Sequence, residues 1–133
     1  MLIKKEVIKD IGLHNTKYFL YAEDADYCLR TIKAGYRIVV VTTSKIWHKV
    51  SGSSGGEGNW KKDYYNTRNL ILLSKENLLA NEKLQFYIFY IIGRIYEVIV
   101  YIKQRKYNKA NAIKNGVVDG LRNRFGENKL ISY

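Results

Sequence analysis

Apolar and polar positions follow several different periods along this chain, and each change of period marks an element. Residues 2–10 ("LIKKEVIKD") are amphipathic and predict a short helix that stops near Gly12. "YFLY", residues 18–21, reads as extended or tightly turned. From Glu23 the period turns helical. Ala25, Cys28, Leu29 and Ile32 fall at i, i+3, i+4 and i+7, one stripe expected to face the core. Asp24 then lies at the edge of that stripe and Glu23 points further out. Gly35 suits the position just past the helix end. "RIVVV", residues 37–41, predicts a buried strand from its β-branched run, and "SKIWHKV", residues 44–50, a second short one. "SGSSGGEGN", residues 51–59, has four glycines in nine positions and predicts a flexible loop.

The second half reads as helix throughout. In residues 60–76 the side chains of Tyr64, Tyr65, Arg68, Asn69 and Leu72 are spaced to share neighbouring faces. Residues 84–102 are the most hydrophobic stretch and approach the length of a membrane span, but Arg94 and Glu97 interrupt it. A charge in mid-bilayer costs about 2.5–3.5 kcal/mol. A helix buried on one side, or lying in a membrane interface, is therefore expected. A basic run with Lys103, Arg105, Lys106 and Lys109 follows. Residues 111–126 predict a last amphipathic helix with Gly116 and Gly120 four apart.

A chain of 133 residues has room for one ordinary domain. The absence of proline leaves its long helices uninterrupted. The formal charge of +11 is uneven: residues 59–133 hold fourteen basic and six acidic side chains. Such a face attracts nucleic acid, anionic lipid or phosphorylated substrates, and charge alone does not choose among them. A single cysteine, Cys28, excludes an intrachain disulfide and a cysteine zinc cluster, and a reducing compartment is the simplest setting. The amphipathic residues after Met1 do not form a signal peptide's apolar core.

The densest acid cluster of this basic chain, Glu23, Asp24 and Asp26, opens the second predicted helix. A plain structural role is available. Acids in a first turn complement the helix dipole by about 0.3–1 kcal/mol each, and Asp26 can pair with Arg30 four residues on. The same geometry suits a general base, because a carboxylate fixed at a helix start can meet a substrate hydroxyl. Asp24 and Asp26 also spell D-x-D, but positions i and i+2 of a helix diverge and converge poorly on one ion. His48 is either structural or a ligand to a divalent ion. Arg68 is either an ordinary ion-pair partner or a phosphate clamp facing the glycine-rich loop.

The order of these pieces carries more than any one of them. Gly12, Phe19, Tyr21, Glu23, Asp24, Asp26, Arg30, Gly35, Tyr36, His48, Ser54, Arg68 and Asn69 fall in a G…F-x-Y-x-E-D-x-D-(x)3-R…G-Y…H…S…R-N sequence. That run resembles the second half of a family 2 glycosyltransferase, of the rhamnosyltransferase type that builds bacterial surface polysaccharides. The likeness is close over residues 8–75 and loose beyond. It implies an α+β, helix-dominated fold: the acceptor-side C-terminal portion of a GT-A domain over 1–75 and an amphipathic helical tail over 76–133. It implies inverting transfer of a sugar, rhamnose among the candidates, from a nucleotide-sugar to a glycan or lipid-linked acceptor. Asp24 would be the general base, with Glu23 in support. Asp26, Arg30, Arg68, Asn69, Tyr64 and Ser54 would bind substrate, Arg68 facing the diphosphate. His48 would ligate Mg2+ or Mn2+, held mostly by a preceding nucleotide-binding half. The chain is thus expected to be a C-terminal fragment, catalytic only with that half.

The cationic, aromatic tail suits the cytoplasmic face of the cell membrane as a peripheral attachment or a homodimer contact. Two rival readings are a non-catalytic membrane-surface or interaction module and a nucleic-acid binder. The acid cluster argues against nucleic acid as a partner.

Overall fold

The computed structural model describes residues 1–47 and 59–128, and within them the chain forms five helices and no strand. These are α1 (Lys5–Ile11), α2 (Glu23–Lys33), α3 (Trp60–Asn77), α4 (Ala80–Lys103) and α5 (Tyr107–Leu121). The expected α+β architecture with a GT-A sheet is therefore overturned in favour of an all-helical one. The predicted strand over residues 37–41 has the right residues and no partner among the described residues. Val39, Val40 and Val41 are exposed, and the one local backbone hydrogen bond is a turn from Ser44 N to Val41 O. A β-branched run yields a strand only where a neighbouring backbone satisfies its N–H and C=O groups. His48, Ser54, the glycine-rich loop and the end of the second predicted strand lie outside the described residues.

Helix α3 is the centre of the molecule. Tyr64, Tyr65, Thr67, Arg68, Asn69, Ile71, Leu72 and Ser74 are all buried along it. Asn59 caps its start by accepting a hydrogen bond from Lys61 N at 2.9 Å. Helix α5 lies close against α3 because small residues face it. A Cβ on Gly116 would meet Tyr64 O at 2.7 Å, and one on Gly120 would meet Ile71 Cδ1 at 2.9 Å. With Ala112, these residues form a strip of minimal side chains four apart, and the core of Tyr64, Tyr65 and Ala112 closes over it. The last helix begins earlier than its amphipathic pattern suggested and takes in part of the basic run. It ends at Leu121, shortly before Asn123 adopts a left-handed φ of 58°.

Helix α2 turns a different face inward from the one its apolar stripe predicted. Asp26, Tyr27 and Thr31 are buried, whereas Leu29 and Ile32 are exposed. The polar side has the better partners: Tyr27 OH donates to Gly12 O at 3.2 Å, and Arg30 reaches the carbonyls of Ile11, the last residue of α1, and of Leu13 in the loop that follows. The helix ends as expected, with Gly35 at φ +85° and the bonds Gly35 N to Ile32 O and Tyr36 N to Thr31 O.

Candidate functional site

Among the described residues, the approach to α2 carries the densest run of left-handed non-glycine backbone. Phe19, Tyr21 and Ala22 all have positive φ, at 59°, 67° and 67°. Left-handed backbone costs a residue with a Cβ about 1–2 kcal/mol, so three within four positions must be held by their surroundings. "YFLY" is therefore tightly turned and not extended. Its carbonyls are the targets of a clamp from α3. Asn69 Nδ2 donates to Tyr18 O, Leu20 O and Tyr21 O at 2.8, 2.7 and 2.8 Å. The neighbouring Arg68 donates from Nη2 to Tyr18 O at 3.1 Å and from Nη1 to Gly126 O at 2.7 Å. Gly126 N in turn donates to Lys17 O at 2.7 Å, so the residues after α5 close the clamp from the far side.

Arg68 is 1% exposed and Asn69 fully buried. The Arg68 charge has no carboxylate partner among the described residues. Its guanidinium is matched by carbonyls, by Asn69 Oδ1 at 3.0 Å and by the faces of Tyr65 and Tyr64 at 4.8 and 5.4 Å. In place of a guanidinium turned toward a diphosphate, the R-N pair is an internal brace for the turn that precedes Glu23 and Asp24. Tyr64 is likewise internal. Its hydroxyl donates to Asp119 Oδ2 at 2.8 Å and accepts from Asn128 Nδ2 at 3.0 Å, and burial raises its pKa.

The three acids diverge. Asp24 is exposed in the first turn of α2, where its Oδ1 accepts from Ala25 N at 2.8 Å and the rest of the carboxylate faces outward. Glu23 is half-buried beside it, and its Oε2 has no hydrogen-bond partner among the described residues. Asp26 is 1% exposed and wholly engaged. It accepts from Arg30 Nε at 2.9 Å, Asn77 Nδ2 at 3.3 Å and Tyr18 OH at 3.4 Å. Arg30 continues to Ile11 O and Leu13 O at 2.6 and 3.0 Å, which anchors α2 to the loop after α1. Asp26 and Arg30 thus serve the fold directly.

Tyr18 is the member of this site that sequence reasoning missed. Its ring is fully buried and its hydroxyl stands between Asp26 and Glu76, at 3.4 Å from each. Burial, then the two carboxylate charges, push its pKa far above the ordinary phenol value. Glu76 also accepts from Asn15 Nδ2 at 3.1 Å and pairs with Lys17 at 3.4 Å, so the end of α3 ties down the loop before the turn. Glu76 sits outside the R-N pattern, two turns along the same helix, and no local spacing marks it.

Among the described residues no three carboxylate, imidazole or thiol groups converge as a metal site would require. With Asp24 facing outward and Asp26 engaged by Arg30, the pair does not fit Mg2+ or Mn2+. Comparison with protein-family models, with curated proteins and with solved structures returned no match.

Proposed function

We propose that this chain supplies the base-bearing, acceptor-side part of an inverting glycosyl transfer from a nucleotide-sugar. The observation that supports the reading most is the strained turn of residues 19–22, braced by Arg68 and Asn69, with Asp24 exposed directly after it. Left-handed non-glycine backbone is retained where a side chain must be held in one direction. Here the side chain so presented is a carboxylate, with a second, partly unsatisfied one beside it. The likeness of the E-D-x-D run to family 2 glycosyltransferases supplies the reaction.

In that reaction an acceptor hydroxyl approaches Asp24. The hydroxyl oxygen forms a bond to the anomeric carbon as the bond from that carbon to the nucleotide phosphate breaks, on the opposite face. The hydroxyl proton passes to the free oxygen of Asp24, and the electron pair of the broken bond leaves on the nucleoside diphosphate. Ala25 N holds the other carboxylate oxygen, which fixes the direction of the base without blocking it. Asp26, neutralised by Arg30, stays outside the chemistry.

The acceptor half of this reading is testable on the chain itself. Short surface-polysaccharide fragments titrated into the labelled protein are expected to shift the amides of residues 19–25 before any others. Shifts confined to the α4–α5 region, or none with rhamnose-containing and other glycans alike, would count against it.

A further inference from the structure

Helix α4 is long and apolar enough to cross a membrane by length and composition, yet none of its residues is buried. Its two faces differ sharply. On the inner face Tyr90 OH donates to Thr67 O on α3 at 2.9 Å, and Ser74 Oγ bonds Tyr87 OH at 3.4 Å. Arg94 stacks on the Tyr90 ring at 5.1 Å and pairs with Glu97 at 2.8 Å, so the two charges that interrupt the sequence lie on or beside the packed face. On the outer face Ile88, Ile92, Ile95, Ile99 and Ile102 follow one another at steps of four and three, all 46–60% exposed. Phe89 and Tyr96 flank them and are more exposed still. At 3.6 residues per turn these side chains cover an arc of about 140°. No charged residue falls inside that arc until Lys103.

At the C-terminal end of the stripe the surface becomes cationic. A cleft of about 500 Å3 opens there between Trp60, Arg105, Lys106, Tyr107, Asn108 and Lys109. Lys109 faces Asp63 at 3.8 Å, whereas Lys103, Arg105 and Lys106 have no acidic partner among the described residues.

We infer that the outer face of α4 docks in the plane of an anionic lipid leaflet, with the basic α4–α5 turn seated among the headgroup phosphates. The apolar arc and the cationic end match the two layers of such a surface, acyl boundary and phosphate. Aromatic side chains at the flank of the arc and in the cleft suit the headgroup level. A second copy fits less well. Coiled-coil pairing uses a narrow seam, and Phe89 and Tyr96 broaden this one. Parallel pairing would set Lys103, Arg105 and Lys106 against themselves, and antiparallel pairing would offer them Glu82 together with Lys83. A span is disfavoured because Tyr90 would have to leave α3 and the Arg94–Glu97 pair would have to enter hydrocarbon. The inference stands on α4 and its turn and does not rest on the glycosyl-transfer reading.

Vesicle sedimentation of the full chain tests it, with phosphatidylcholine alone and with phosphatidylglycerol added. Binding to the anionic vesicles is expected, weakened by salt and released by alkaline carbonate. Each Lys or Arg near such a leaflet strengthens partition about fivefold. The combined Lys103→Gln, Arg105→Gln and Lys106→Gln variant is therefore expected to lose about a hundredfold. Ile92→Gln with Ile99→Gln, at exposed positions, is expected to lose binding while helicity and melting hold. If that pair unfolds, Phe89→Ser alone carries the same expectation. Equal binding to neutral and anionic vesicles, or resistance to carbonate, would overturn the inference. So would absence of vesicle binding together with a dimer, seen by sedimentation equilibrium, that the isoleucine variants dissolve.

Discussion

A single amide, Asn69, satisfies three carbonyls of a strained turn, and its consequences are measurable. Asn69→Ala removes both N–H donors and leaves the part-buried carbonyls of Leu20 and Tyr21 unpaired, while Tyr18 O keeps Arg68, each unpaired group costing about 1–3 kcal/mol. The urea midpoint should drop accordingly, and proteolysis should begin at residues 19–22. Unchanged stability would mean that water or a rearranged Arg68 replaces the amide. Tyr18 gives a pH signature. Its pKa is raised by folding, so its contribution to stability is complete below the unfolded value of about 10 and is lost as pH climbs through the folded value. Stability should therefore fall above about pH 10, and Tyr18→Phe should flatten that fall; an alkaline limb identical in the variant would assign it to the other phenols whose pKa folding raises, buried Tyr64 and half-buried Tyr90. The R-N pair was legible in the sequence as a pair, but its employment was not. Most of its acceptors lie some fifty residues earlier, on a turn that carries no glycine to advertise positive φ, and another, Gly126 O, lies beyond the end of α5. The place of Asp24 at a helix start was legible, but its exposure was not: the apolar stripe put it at the core edge with Glu23 further out, and with the other face turned inward Asp24 is exposed and Glu23 half-buried.

At the level of elements, close helix packing and open helix surface make opposite predictions for the same substitution. Gly116→Ala forces a Cβ to within 2.7 Å of a backbone oxygen of α3, where overpacking costs about 1–3 kcal/mol. Gly93→Ala on α4 meets nothing within 4 Å and should stabilise by about 0.5–1 kcal/mol through helix propensity alone. Thermal melts of the two variants should move in opposite directions; parallel shifts would show that α5 does not pack on α3 as described. All five helices among the described residues were legible over most of their length, because their apolar positions recur at helical spacing and no proline breaks them. The strand over residues 37–41 failed because β-branched propensity is silent about partners. The inward face of α2 failed because Tyr27, Asp26 and Arg30 make specific bonds to the end of α1 and the loop after it, and these outweigh the stripe of Ala25, Cys28, Leu29 and Ile32.

Across the whole molecule, the net charge of +11 is concentrated after residue 58, whereas the acid cluster, the strained turn and Asp24 belong to the first half. The two proposed activities thus rest on separate regions: a basic, apolar surface built by α4 and its turn, and a braced carboxylate at the start of α2. They are joined through α3, whose residues contact both. That division makes the central claim separable from membrane attachment. The measurement that bears on it most directly is turnover of the chain joined to the nucleotide-binding half of a family 2 glycosyltransferase, read as acceptor-dependent release of nucleoside diphosphate. Asp24→Asn keeps size and hydrogen bonding and removes the base, so turnover should fall by about 10²–10⁴ while the melting temperature holds. Asp26→Asn should instead lower the melting temperature, because it strands Arg30 and Tyr18. Near-normal turnover with Asp24→Asn would contradict the account.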